Sequence, residues 1–345
     1  MSQSHPSRRL LFYVEQNYSF DILRPLQAEA RRRKHEVRWL VVGEASRKLL
    51  NPGEQAITSI SAAITYGPDA VFAPSDRIPG FIPGLKVQVF HGINEDKRGE
   101  PIPERGLFDL YCTQSPAQAA MLLPLQAKRG YFQVVDTGWI KLDAILEHRD
   151  ATIHYTRPQI LYASTFTPSL SSAKALLPEI KRLSQKPNWQ WLVTLHPKMD
   201  PAIVAQYQSL ENDNLKFFGT DKVIELLHRA DIMVSDNSSI LQEFLLLNKP
   251  VITFRNRAPH PCMINITATD QMEAAIAQAL NPDEQLRKAV ASYGPAITPH
   301  LDGQSSGRVL DATEKMLGEC WKNTKPANIW RNFKMRRQLN YYKFW

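Results

Sequence analysis

The stretch QILYASTFTPSLSSAKALLPEIKRLSQKPNWQWLVTL, residues 159–195, decides the fold. Its ends, Gln159–Ala163 and Trp189–Leu195, are short apolar runs that read as buried strands. Between them, Ala173–Ser184 reads as a helix. Strand, crossover helix and second strand make a right-handed βαβ unit, which implies a parallel sheet. Downstream follow helix Pro201–Leu210, strand Leu215–Phe218, helix Lys222–Arg229, strand Asp231–Ser235, helix Ser238–Leu247 and strand Pro250–Phe254. Upstream lie strands Leu10–Val14, Glu36–Val42, Asp69–Ala73, Lys86–Phe90, Asp109–Thr113 and Tyr131–Val135. Helices Asp21–Lys34, Pro116–Ala127 and Ile140–Glu147 are interspersed among them, and polar Glu147–Pro158 reads as a linker. The expected class is α/β: two Rossmann-like, doubly wound domains facing a cleft, over residues 1–150 and 151–320, with a tail at 321–345. In such folds the site lies outside the carboxyl ends of the strands.

At roughly 150 residues per domain, a chain of 345 residues agrees with two domains. Hydrophobic residues make up 43% and charged residues 22%, enough apolar material for two cores, which excludes disordered and fibrous classes. No run of about 18 apolar residues occurs, and the first residues lack a signal-peptide pattern. Cys112, Cys262 and Cys320 are odd in number and far apart, so neither a disulfide framework nor a structural zinc is expected. A reduced, cytoplasmic protein is the expectation.

The net charge of +8 is a property of the tail. Residues 321–345 hold seven basic residues and no acidic ones, which leaves +1 for the rest. The same tail carries seven aromatic residues, including Trp330, Phe333 and Tyr342. Basic residues interleaved with Trp and Tyr suit an anionic membrane surface, and also a nucleic-acid strand. A C-terminal helix packed on the body explains them equally well. Nucleic acid is the least favoured of the three.

Several standard signatures are missing. There is no G-x-G-x-x-G after the first strand, no P-loop, no D-x-D and no H-E-x-x-H, so neither a cofactor nor a metal is expected. What remains are polar clusters directly after expected strands. His91-Gly92 ends one strand, the glycine letting the loop turn, and a histidine there can take a proton from a hydroxyl. His196-Pro197-Lys198 ends another and suits the charge of a diphosphate, although Pro197 starts a turn in any case. Val234-Ser235-Asp236-Asn237-Ser238-Ser239-Ile240 leads into a helix that Asp236 or Asn237 could cap. Ser238 and Ser239 would then face a phosphate at the helix start; in a plain capped helix, Glu243 would sit on the outer face. Arg308, opening the last core helix, could reach a phosphate or merely solvate that helix start.

Taken together, residues 86 to 318 resemble the CDP-glycerol glycerophosphotransferase family of the teichoic acid polymerase type. The resemblance is carried by His91-Gly92, by Gly138-Trp139-Ile140-Lys141-Leu142-Asp143 and by Ile160-Leu161-Tyr162-Ala163-Ser164-Thr165-Phe166. His196-Pro197, Asp236-Asn237-Ser238-Ser239 and Leu246-Leu247-Asn248-Lys249-Pro250-Val251 complete it in the family's order. Two departures stand out: Asn237 replaces a tyrosine, and Ile93-Asn94-Glu95-Asp96-Lys97 replaces the commoner Thr-Pro-Leu-Lys.

The resemblance implies a GT-B-like transferase that moves glycerol phosphate from CDP-glycerol, or another nucleotide-diphosphate donor, to a hydroxyl of a glycan or lipid-linked acceptor, releasing CMP. It implies His91 as general base and His196 at the diphosphate, both catalytic. Thr165, Lys198, Asp236, Ser238, Ser239, Glu243 and Arg308 would bind the nucleotide, and Gly92, Asn94 and Lys97 would border the acceptor. No cofactor or metal is implied, and the protein would sit on the inner face of the cell membrane. A nucleotide-sugar glycosyltransferase or UDP-sugar 2-epimerase of the same fold is the alternative, since a phosphate-cradling helix start serves any nucleotide diphosphate. A non-catalytic membrane or nucleic-acid binding protein is the alternative of another class.

Overall fold

The computed structural model describes residues 6–92, 104–147, 155–319 and 324–343. Two compact units divide the chain: Met1–Ala144 with Thr298–Trp345, and Ile145–Ile297. In the first unit, β1 Arg9–Val14, β2 Glu36–Val41, β3 Ala70–Ala73, β4 Leu85–Gln88, β5 Leu110–Thr113 and β6 Gln133–Asp136 form one sheet. Its order is β2-β1-β3-β4-β5-β6, with every pairing parallel. In the second unit, β7 Gln159–Ser164, β8 Gln190–Leu195, β9 Leu215–Phe217, β10 Ile232–Ser235, β11 Val251–Phe254 and β12 Met263–Ile266 form another parallel sheet. Its order, β12-β11-β10-β7-β8-β9, reverses direction between β7 and β10. In the first sheet the reversal falls between β1 and β3. Such switch points open crevices at the carboxyl ends of the strands.

The strands are apolar because helices cover both faces of a parallel sheet. All six residues of β7 and all six of β8 are buried. The second unit packs around Trp191, Val193, Ile232 and Val234. The expected alternation of strands and helices is therefore realised as two parallel-sheet α/β units of GT-B-like architecture. Helices Ile60–Tyr66, Met272–Leu280 and Glu284–Ile297 and edge strand β12 are additions to the sequence reading. None of the four residues of β12 shows the full burial of β7 or β8 except Ile266, so its apolar signal is weak.

The C-terminal part of the expected second domain belongs elsewhere. Helix Ser305–Gly318 is part of the first unit, and its Val309, Leu310 and Met316 pack with Leu10, Phe12 and Leu26. Charge holds it there. Arg33 reaches Asp311 at 2.6 Å and Glu314 at 3.2 Å, and buried His35 Nε2 lies 2.8 Å from Glu314. The start of the helix is seated by the Gly138–Asp143 segment. The Asp143 carboxylate accepts from the backbone N–H groups of Ser305 (2.9 Å) and Ser306 (2.6 Å). Burial pushes the Asp143 carboxyl up from its ordinary value, while these donors oppose that shift. Gly138 takes φ +83°, and a Cβ there would stand 2.6 Å from His300 Cβ and 2.7 Å from Ser305 Oγ.

The described part of the tail also packs on the first unit. Lys325 Nζ lies 2.5 Å from Asp109, Asn328 donates to Gly106 O at 2.8 Å, and Met335 of helix Ile329–Gln338 is buried. The opposite side stays open, with Ile329 73% and Trp330 76% exposed. The packed-helix reading thus accounts for one face only. No helix among the described residues is long and apolar enough to cross a membrane.

Gly138→Ala is expected to destabilise the protein by about 2–4 kcal/mol, through the left-handed backbone and the overpacking. Asp143→Ala should cost about 1–3 kcal/mol by orphaning two buried N–H groups. Thermal unfolding followed by circular dichroism checks both; unchanged melting in both variants would mean that this segment does not seat the helix.

Candidate active site

In the second unit the candidates gather at the carboxyl ends of β7, β8 and β10, beside the switch point. His196 follows β8, and Pro197 sits in a turn closed by Met199 N donating to His196 O at 2.8 Å. The imidazole lies 4.4 Å, centroid to centroid, from the Phe166 ring, which leaves β7 beside it. Lys198 Nζ stands 5.7 Å from the centre of the same ring. The backbone N–H of Lys198 donates to His196 Nδ1 at 3.0 Å. Nδ1 is therefore an acceptor, and the neutral ring carries its proton on Nε2, which can donate to an oxyanion. Partial burial, and then the charge of Lys198, hold the His196 pKa below its ordinary 6.5, so the neutral form prevails near pH 7.

Asp236 serves a structural purpose, which corrects its assignment to nucleotide binding. It is fully buried, and its carboxylate accepts from Ser164 Oγ (2.5 Å), Thr165 N (3.1 Å), Ser172 N (2.8 Å) and Ser172 Oγ (2.9 Å). It ties β10 to the loop after β7, so the two walls of the switch point are fixed to each other. Thr165 is buried beside it and supplies its backbone N–H to that bond. Neither Asp236 nor Asn237 caps the following helix, which begins at Ile240 with Ser239 as N-cap. Asn237 instead accepts from Arg257 N at 2.9 Å and donates to Leu170 O at 3.3 Å. Ser238 is half-buried and Ser239 exposed, both at the mouth of this crevice. Glu243 is buried at 6% exposure rather than set on an outer face.

In the first unit, His91 is exposed just beyond β4. The turn that frees it is made by Phe90, at φ +53°, and not by Gly92, whose φ is not positive. A bulky residue in that region stores strain, and the buried Phe90 ring near Tyr111 holds it there. The His91 ring lies 4.9 Å from Tyr18, which follows β1. The Gln114 amide stands between Gly92 O (2.7 Å) and Trp139 Nε1 (3.1 Å), fixing the root of the loop. Asn94 and Lys97 lie outside the described residues.

Arg308 belongs to the first unit, forks onto Asp302 at 2.8 and 2.9 Å and donates to Thr137 O. Its guanidinium is engaged by the loop that starts its own helix. Sequence reasoning gave no part to Tyr18 and used Phe166 only as a motif residue; these two rings lie against the histidines. Phe166 was within reach, as an aromatic residue directly after a strand.

Two parallel six-stranded sheets with polar clusters on their carboxyl edges define an enzyme fold of the GT-B-like class. The UDP-N-acetylglucosamine 2-epimerase family matches residues 108–314, more than half of the sequence, and the chain belongs to that family. The teichoic acid glycerol-phosphate primase of Bacillus subtilis (strain 168) is 34% identical over 97 residues, 28% of this chain and 25% of that protein. The match thus spans about a quarter of that relative's length. Among solved structures, a putative UDP-N-acetylglucosamine 2-epimerase from Listeria monocytogenes is similar with TM-score 0.66 and 13% identity, over 91% of this chain and 98% of its own. The wall teichoic acid polymerase TagF is similar with TM-score 0.65 and 13% identity, over 93% and 92%. The S. aureus MnaA–UDP co-structure reaches TM-score 0.63 at 18% identity, over 92% and 99%. These likenesses concern the fold. The primase match agrees with the resemblance seen in the sequence, while the family match names the epimerases.

Removing the positive charge beside His196 tests its electrostatics. In Lys198→Gln the His196 pKa should rise towards 6.5, because repulsion of the imidazolium is relieved. An NMR titration of the imidazole reads the shift, and an unchanged or lowered value contradicts the arrangement.

Proposed function

We propose that this protein transfers glycerol phosphate from CDP-glycerol to a hydroxyl of a cell-envelope glycan or lipid-linked acceptor, with release of CMP. The observation that carries the reading is the His196 ring, whose Nδ1 is occupied by Lys198 N and whose Nε2 proton is free to meet a phosphate oxygen. Transfer of a phosphoryl group depends on positioning and neutralisation of charge more than on covalent chemistry by the protein. His196 and Lys198 would take the diphosphate, and Ser238 and Ser239 would add hydroxyl donors. Buried Glu243 would turn its carboxylate to hydroxyls of the nucleoside. His91 would accept the proton of the attacking hydroxyl, so that the new P–O bond forms as the bond to CMP breaks. The primase relative supports glycerol phosphate as the group transferred. A lipid-linked acceptor would bring the protein to the inner face of a membrane, with the open face of the tail helix towards anionic lipid.

The family match favours a second reading, a UDP-sugar 2-epimerase, in which the same crevice holds a uridine diphosphate. The two separate by product. CDP-glycerol with an acceptor should yield CMP, and UDP-N-acetylglucosamine should remain unchanged; conversion of the sugar without CMP release overturns the transferase reading.

His91→Ala should lower turnover by about 100-fold or more while CDP binding persists, the scale of general base catalysis. Near-native turnover would remove His91 from the mechanism. Replacing Ser238 and Ser239 together by alanine should weaken CDP binding by about 1–3 kcal/mol, measured by calorimetry. Unchanged affinity would leave that element as a plain helix start.

A further inference from the structure

The tail helix Ile329–Gln338 closes a pocket of about 350 Å³ against the loops after β3 and before β5. Its lining is unusual in charge. Arg77, Arg105, Arg331 and Lys334 all face it, and no carboxylate lines it among the described residues. Asp76 meets Arg105 at 2.8 Å, and Glu15 stands 3.9 Å from Arg77, so two of the four cations have acidic neighbours. Arg331 donates to the backbone oxygen of Arg105 at 2.7 Å, which fixes its guanidinium at the pocket's wall. Like charges gathered in this way repel unless an anion joins them. The floor is different in kind: Ile78, Leu107 and Met335 are buried and apolar. A bare inorganic anion has no use for such a floor. On the same helix Ile329, Trp330 and Phe333 stand open to solvent.

We propose that this pocket binds the phosphate of an ester whose alcohol is a hydrocarbon chain. The arginine forks and Lys334 would take the phosphate oxygens, and the first methylenes would lie on Ile78, Leu107 and Met335. The pocket borders Arg77, in the segment after β3, and Glu15, just after β1, at the carboxyl edge where the first sheet switches direction. His91 leaves that same edge. The pocket is thus an acceptor-side subsite for a phosphorylated lipid. In that role the inference rests on the transferase reading, but its binding chemistry does not.

The test measures binding alone, with no donor present, so that it can fail separately from the transfer reaction. Octyl phosphate should bind the full chain with one site per molecule, about tenfold or more tighter than inorganic phosphate, by calorimetry. Arg331→Gln with Lys334→Gln should weaken octyl phosphate about tenfold or more, through loss of charge-assisted bonds. Arg337→Gln with Lys343→Gln removes equal charge outside the pocket and should change binding less than about twofold. Equal losses in the two pairs, or no gain over inorganic phosphate, would overturn the site. Vesicles containing phosphatidic acid distinguish a lipid source, since the Arg331 and Lys334 pair should weaken binding to them more than the Arg337 and Lys343 pair does. Vesicle binding that ignores this pair, with octyl phosphate still weakened, points to a soluble ester instead. If the pair impairs folding, acetylation of Lys334 in the intact protein gives the same answer. Octyl phosphate should protect that amine, and failure to protect it overturns the proposal.

Discussion

The carboxylate of Asp143 holding the first two N–H groups of helix Ser305–Gly318 is the contact on which much of the first unit depends. A helix start carries unpaired donors and partial positive charge, so a buried carboxylate satisfies both at once. The helix it seats supplies Val309, Leu310 and Met316 to the core under β1. Arg33 and His35 fasten its far side through Asp311 and Glu314. Gly138 is glycine for the same reason: the approach of His300 and Ser305 leaves no room for a Cβ.

Much of the fold was legible because parallel strands buried on both faces have to be continuous apolar runs. Leu10–Val14 and Trp189–Leu195 announce themselves in this way. The membership of helix Ser305–Gly318 was not legible, because order along the chain says nothing about which unit a late segment joins. Its anchors, Asp143 and Arg33, are separated from it by more than 150 residues. The site was legible in position rather than in role. His196, Ser238 and Ser239 do stand on strand ends, whereas Asp236 turns inward and Arg308 pairs with Asp302 of its own loop. A charged residue in a polar motif looks the same in sequence whether it meets a ligand or closes a loop. Only its hydrogen-bond partners tell the two apart.

Each histidine is held in its own way. His196 is fixed by a backbone N–H and an aromatic face, so both its tautomer and its orientation are set before any ligand arrives. His91 depends on a strained residue, Phe90, and lies against the Tyr18 ring. A group that must retain one protonation state gains from the first arrangement.

The first unit is assembled from two distant stretches of chain, with residues 145–297 inserted between them. On the ribosome, therefore, the strands β1 to β6 emerge long before the helix that covers part of their core. Leu10, Phe12 and Leu26 must wait for Val309, Leu310 and Met316 through the synthesis of an entire second unit. That second unit has all its strands contiguous and can fold while the first remains incomplete. During this interval the exposed apolar face of the first sheet is open to misassociation, and chaperone demand should concentrate there.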